Sequence, residues 1–362
     1  MSEAPSAPVP AAVIGCGRMG AFPSDRMRDH APAAWFPLSH AEAIRATPGV
    51  TLAALCDRSP EALRRAADRY GVADCFTDHR DLPEGRVPLL AAIATRTPGR
   101  AGCMIDLAGR GTRAFHIEKP VCNSMAELER LQTLFDRGDV FVTLGALRRH
   151  FPIYRAARDH AAGGTLGTML ETQVELGRGQ LFWAHPHSVD LLLFAAQGRA
   201  VRSVGARFDG VERKGARILN DPVVVDAVIE FEGGLVGRIG RMPGNDWRLG
   251  CERGKVEVLG NGAALRVARA EGDGFRLRES EEAIPPPGEA GGSAFAIRML
   301  VACLAGNEAA RAANAELKRD VATGQRVLFA MAQSHLEGGR PVTLSEIDPD
   351  LVIEGRTGEL VA

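Results

Sequence analysis

Three short segments of this 362-residue chain hold side chains that could move protons or grip an anion. They are Gly15-Cys16-Gly17-Arg18-Met19-Gly20, Glu118-Lys119-Pro120 and His185-Pro186-His187-Ser188-Val189-Asp190. Lysine is scarce: of 44 Lys+Arg residues only four are lysines, Lys119, Lys214, Lys255 and Lys318. Arginine does not release its proton in a protein, whereas a desolvated lysine does, so a proton-exchanging site has a reason to keep the amine. An imidazole such as that of His187 takes or gives a proton near neutral pH, and Asp190, three residues on and on the same helix face, is placed to orient it. The residue types suit general acid–base work at a substrate hydroxyl.

The elements around these segments can be read from apolar runs and turn residues. Residues 11–14 form a short apolar strand that runs into the glycine segment, the context in which G-x-G-x-x-G has meaning. The first glycine permits the tight turn, the second lets a pyrophosphate approach the backbone, and the third allows close helix–strand packing. A second strand, residues 51–57, ends in Asp57, a carboxylate able to accept from both hydroxyls of an adenosine ribose. Asp57 lies 37 positions beyond Gly20, about twice the usual roughly 20. Residues 21–39, with Pro23, Pro32, Trp35, Phe36 and Pro37, read as a 19-residue insertion, whose removal leaves 18. A helix resumes at His40, and the insertion is expected beside the cofactor crevice as a pocket wall or lid.

The alternation continues with a helix over 61–70, a strand over 88–94, a helix over 101–108, a strand over 113–117, a helix over 125–135 and a strand over 140–144. This predicts an α/β fold with a doubly wound parallel sheet of about six strands, the Rossmann arrangement. Ligands bind beyond the carboxyl ends of such strands, so Gly15, Asp57, Thr95 and Glu118 to Pro120 should line one edge. The second half reads differently. Runs at 169–176, 201–208, 223–231, 235–239, 255–259 and 265–268 suggest an open, largely antiparallel sheet, with helices over 154–161, 188–196, 296–305 and 314–335. Residues 279–292, with three consecutive prolines, read as a surface loop. The expected division is a dinucleotide-binding domain at 8–145, an α+β substrate and oligomerisation domain at 146–345, and a tail at 346–362.

A formal net charge of -1 speaks against nucleic-acid or anionic-membrane partners, and no apolar run reaches the roughly 18 residues of a membrane span. The beginning lacks a basic segment followed by an apolar one, so the expected compartment is the cytoplasm. The seven cysteines are odd in number, scattered and without a Cys-x-x-Cys pair, which predicts reduced core residues and no metal site.

Taken together the motifs resemble the Gfo/Idh/MocA family of nicotinamide-dependent oxidoreductases. The resemblance rests on residues 13–20, on Glu118-Lys119-Pro120 with Val121 and Ser124, on Arg148-Arg149-x-Phe151-Pro152, on His187-Ser188-Val189-Asp190, and on a tail spanning 334–342. It implies a cis Lys119-Pro120 bond and a homodimer or homotetramer. It implies Lys119, His187 and Asp190 as catalytic residues, and the substrate site expected around them is Lys119, Arg149, Trp183, His185 and His187. The cofactor site would comprise Gly15 to Gly20, Asp57, Arg58, Thr95, Glu118 and Lys119. Relatives often carry an aspartate four residues before the histidine; here that position is Trp183, leaving His185 or Asp190 to compensate. Trp183 is either an apolar wall that stacks on a sugar ring or a core residue. Asp57 favours NAD over NADP, although Arg58 beside it could grip a 2′-phosphate. The expected activity is hydride transfer between NAD and a secondary alcohol of a sugar, cyclitol or nucleotide sugar. The alternatives within the resemblance are NAD-dependent glycoside hydrolysis and non-catalytic dinucleotide sensing.

Overall fold

The computed structural model describes residues 7–23, 25–272, 276–283 and 291–355. Its first sheet is parallel throughout: β1 (Val9–Ile14), β2 (Val50–Cys56), β3 (Asp74–Phe76), β4 (Leu90–Ile93), β5 (Ala114–Ile117) and β6 (Phe141–Leu144), in the order β3-β2-β1-β4-β5-β6. The last three strands are buried at every residue, the signature of parallel strands covered on both faces. β3, three residues long, carries too little pattern to be foreseen.

Helix α1 (Asp25–His30) lies within the insertion, and α2 (His40–Ala46) comes directly after it. Ser39 caps α2 reciprocally with Glu42. The insertion interrupts a helical turn without breaking its bonding. Ala21 N donates to Gly17 O at 2.8 Å, and across the gap His40 N donates to Met19 O at 2.8 Å and Ala41 N to Gly20 O at 2.9 Å. The further crossover helices α3 (Pro60–Tyr70), α4 (Arg100–Gly109) and α5 (Met125–Phe135) fall where their periodicity predicted.

Beyond α6 (Pro152–Ala162) the chain builds a mixed, mostly antiparallel sheet. Its strands are β7 (Met169–Glu175), β8 (Val201–Asp209), β11 (Val223–Phe231), β12 (Val236–Gly240), β13 (Asp246–Cys251), β14 (Gly254–Leu259), β15 (Ala264–Glu271) and β16 (Arg276–Glu282), in the order β16-β15-β14-β13-β7-β12-β11-β8. Among the described residues of this sheet, only β7 and β12 pair in parallel. The short β9 (Arg213–Lys214), β10 (Arg217–Ile218) and β17 (Val352–Ile353) make a separate ribbon. Residues 279–282, expected in a loop, instead pair with β15 as part of β16; residues 284–290, with the three prolines, lie outside the described residues. β16 reads RLRESEE and is an edge strand, where charge deters pairing with other chains and also hides the apolar alternation.

Helix α7 (His185–Ala196) packs on β7 and is buried at nearly every position. The last helices, α8 (Ser293–Leu304) and α9 (Glu308–Leu336), return to the first sheet: α8 packs on α2, β5 and β6, and α9 on α5 and β6 as well as on α7 and β8. The second half of the chain therefore supplies cover for the first sheet. None of the described helices is long and apolar enough to cross a membrane.

Candidate active site

The glycine turn shows a distinct reason for each glycine. Gly15 has φ +97°, and a Cβ there would lie 2.7 Å from the carbonyl carbon of Ala94. A Cβ on Gly20 would lie 1.8 Å from Gly15 O, whereas one on Gly17 would meet nothing within 4 Å. Gly15 and Gly20 are thus demanded by the fold, while Gly17 only keeps space open. Asp57, just past β2, ties the same turn down: its Oδ2 accepts from Cys16 N at 2.6 Å and its Oδ1 from Ser59 N at 2.8 Å. Arg18 and Arg58 are exposed at this edge. Thr95, after β4, has a buried Oγ1 without a hydrogen-bond partner.

Lys119 projects from the turn after β5, and its peptide with Pro120 is cis. Two elements hold the turn. From α4, buried Arg100 donates to the carbonyls of Thr95, Glu118 and Pro120. From α9, Gln325 accepts from Val121 N at 2.9 Å and donates to Cys122 O at 3.2 Å. Behind the lysine, Glu118 Oε1 lies 3.2 Å from His40 Nε2, though poorly aligned for a hydrogen bond, and Gly145 leaves just enough room for the carboxylate. Burial opposes ionisation of Glu118, but the His40 contact and the neighbouring Lys119 outweigh it and hold its carboxyl at about 2.

The Lys119 amine reaches the second domain. Nζ donates to Trp183 O at 2.6 Å and lies 4.2 Å from the centre of the Trp183 indole. Burial lowers its pKa to about 8, with Arg100 and Arg148 adding to the effect and Glu118 and Asp221 opposing it. His187, in the first turn of α7, has a buried Nδ1 without a hydrogen-bond partner. Its pKa is pushed well below the ordinary histidine value by burial and then by the positive charges of Lys119 and Arg148. The pair is thus an amine that titrates near neutrality and an imidazole that stays neutral.

Other sequence-derived candidates go elsewhere. Asp190 does not give its carboxylate to His187: its oxygens accept from Arg149 Nε at 2.9 and 3.0 Å. Arg149 spends its remaining donors on Asp190 O at 2.9 Å and Asp320 Oδ2 at 2.8 Å. It is therefore a buried bridge between α7 and α9, and not a group free to bind substrate. His185 is likewise committed, with Nδ1 3.1 Å from Ser188 Oγ and Nε2 3.2 Å from Gly179 O. Trp183 is no core residue, being 48% exposed. Arg148 was not foreseen. It donates from Nε to Asn261 Oδ1 at 3.0 Å, lies over the Trp35 ring at 5.1 Å, and leaves a buried Nη1 unpaired. Arg148 and Arg149 diverge because they sit in a 3₁₀ turn, Arg148–His150, where successive side chains point about 120° apart.

The sequence model of the Gfo/Idh/MocA oxidoreductase family, NAD-binding Rossmann fold, matches residues 9–146. The match is confined to the first sheet and its helices, and over that stretch the chain is similar to the Gfo/Idh/MocA oxidoreductases. A dTDP-3,4-didehydro-2,6-dideoxy-alpha-D-glucose 3-reductase of Streptomyces violaceoruber is 26% identical over 263 residues, 65% of this chain and 75% of that protein. An oxidoreductase from Agrobacterium radiobacter, solved with NAD+, L-tartaric acid and magnesium, superposes with a TM-score of 0.68 at 17% identity, covering 93% of this chain and 98% of that one. A 3-ketoreductase from Actinomadura kijaniata, solved with TDP-benzene and NADP, gives a TM-score of 0.65 at 17% identity, covering 90% and 98%. These likenesses match the fold over both domains.

The glycine turn of this chain fits a dinucleotide: the open face of Gly17, the unpaired Thr95 hydroxyl and Asp57 at the strand end share one sheet edge. Gly17 and Gly20 should separate cleanly on mutation. Gly17→Ala is expected to leave the melting temperature within about 2 °C of wild type while weakening NAD binding about tenfold or more, because its Cβ meets no protein atom and would intrude on a dinucleotide laid against the turn. Gly20→Ala should instead lower the melting temperature, since its Cβ collides with Gly15 O. Calorimetry of the two variants with and without NAD checks both; a large melting shift in Gly17→Ala alone would refute the assignment.

Proposed function

We propose that this protein is an NAD-dependent dehydrogenase or reductase acting on a secondary alcohol of a sugar, cyclitol or nucleotide sugar. The observation that carries the reading is the Lys119 amine, fixed beside the dinucleotide edge and titrating near neutrality, with neutral His187 across from it. When bound, the nicotinamide supplies the hydride acceptor or donor. Charged Lys119 donates a hydrogen bond to the substrate oxygen and stabilises the charge that develops there. His187 accepts the hydroxyl proton in oxidation and returns it in reduction. Arg148, braced by Asn261 and Trp35, presents its unpaired Nη1 beside this pair, and Trp183 forms an apolar wall on which a sugar face can stack. The Streptomyces relative acts on a dTDP-sugar, which supports a glycosyl or nucleotide-sugar substrate here. A cytoplasmic homodimer or homotetramer is part of this reading.

Incubation with NAD and NADP against a panel of sugars, inositols and nucleotide sugars, with absorbance of the reduced nicotinamide as the readout, tests it. Glycoside cleavage without net NADH would assign hydrolysis instead, and binding without any turnover would assign sensing. His187→Ala should lower kcat by about 10² to 10⁴ while leaving the NAD Kd within about threefold. Retained kcat would remove His187 from the chemistry. Asp57 is held at the end of β2 by two backbone amides, where its charge repels a 2′-phosphate. NADH should therefore bind about tenfold or more tightly than NADPH in a fluorescence titration, and equal affinities would overturn the preference.

A further inference from the structure

The second-domain carboxylate whose charge acts on the lysine comes from a stretch that none of the sequence motifs includes. Asp221 stands between β10 and β11, 9% exposed. Its Oδ1 accepts from Phe182 N at 2.7 Å and its Oδ2 from Trp183 N at 3.0 Å. The next atoms along that backbone include Trp183 O, which receives Lys119 Nζ at 2.6 Å. The neighbouring Leu181 N donates to Pro222 O at 2.9 Å, so the two loops are stitched together at Pro222 as well as at Asp221. A carboxylate that satisfies two successive amides fixes the direction of the peptide between them and of the carbonyl just beyond.

We propose that Asp221 is a positioning residue for Lys119, holding the Trp183 turn so that its carbonyl aims the amine into the site and its indole walls the substrate side. The inference rests on Lys119 being the working amine of the proposed function. Lys119 faces charge from every side: Glu118 on its own turn, Arg100 from α4, Arg148 from the turn before α6, and Asp221 from the β10–β11 loop. His187 of α7 feels the lysine in return. Asp221 is thus the one carboxylate of the second domain acting on it among these groups, and it acts both through the turn and through its charge.

The test tracks Lys119 itself and needs no substrate. Wild type, Asp221→Asn and Asp221→Glu are pulse-labelled with acetic anhydride across pH 6 to 10, and modification at each of the four lysines is read by mass spectrometry. Asparagine has one acceptor oxygen and no charge. In Asp221→Asn the Lys119 midpoint should fall by about half a pH unit or more, making the amine about threefold more reactive near pH 7. Lys214, Lys255 and Lys318 should be unmoved, and Asp221→Glu should restore most of the shift. A Lys119 midpoint in Asp221→Asn that coincides with wild type overturns the proposal. If Asp221→Asn does not fold, Asp221→Ser, which keeps one acceptor, takes its place with the same two outcomes. Labelling is independent of turnover, so a protein that oxidises no sugar yet shows the shift would lose the proposed function and keep this positioning role. Normal titration in an active dehydrogenase would do the reverse.

Discussion

Lys119→Arg should lower kcat about a hundredfold or more while changing the NAD Kd by no more than about threefold. The two side chains share a charge and little else. The wild-type ammonium is a compact donor 2.6 Å from Trp183 O and 4.2 Å from the centre of the indole, and a planar guanidinium cannot take that position without displacing one of them. It also cannot give up its proton. Burial sets the wild-type amine at about 8, which gives the pH dependence its sign: the charged form is complete below that value and is lost above it. If charged Lys119 stabilises the substrate oxygen, kcat/KM for alcohol oxidation falls as pH rises through about 8, and residual activity in Lys119→Arg lacks that limb. A rise through the same pH would make neutral Lys119 the proton acceptor and reduce His187 to a supporting part.

The largest effect on stability is expected at Arg149. It joins Asp190 of α7 to Asp320 of α9, and Arg149→Ala leaves two carboxylates in a largely buried crevice without their cation. Removing one partner of such a set costs about 3 to 5 kcal/mol. Urea denaturation at pH 8 should show a loss of that order. Burial raises the Asp190 carboxyl to about 6 even with Arg149 opposing, so its protonated form is favoured in the folded state. A carboxyl raised on folding contributes stability that is complete below its unfolded value and is lost as pH rises through its folded value. Without Arg149 the rise should be larger, so the gap between variant and wild type should narrow at pH 5. An equal gap at pH 5 and pH 8 would show that Asp190 does not carry the effect.

Legibility in the sequence tracked the range of the interactions. The glycine turn, the strand ending at Asp57 and the lysine after β5 were legible because each is a local pattern on an apolar strand. The insertion was legible because it lengthened a spacing that chemistry fixes. The motif favoured His187 over His185 without giving a reason, since only the entry of α7 decides which imidazole is consumed by Ser188 and Gly179. The same holds for Arg148 and Arg149, adjacent in the chain and sent to different partners by a single 3₁₀ turn. Asp221 was out of reach because its partner amide lies 38 residues away, across a sheet whose order no spacing announces. Strand β13 stayed hidden for a related reason. It shows only Trp247 and Leu249 as inward apolar residues, and Arg248 between them is explained by three carboxylates on neighbouring strands and its own.

Between Phe22 and His40 the helical bonding closes over the gap, His40 and Ala41 donating to Met19 and Gly20 as residues 23 and 24 of an unbroken helix would. The segment is thus a removable cassette whose two ends are already spliced. Its far end carries Trp35, stacked 5.8 Å from Phe151 of the second domain and beneath Arg148. A lineage, or an engineer, could exchange this cassette for one of another length or composition and so change what stands beside Arg148 and Phe151 while the glycine turn stayed in place.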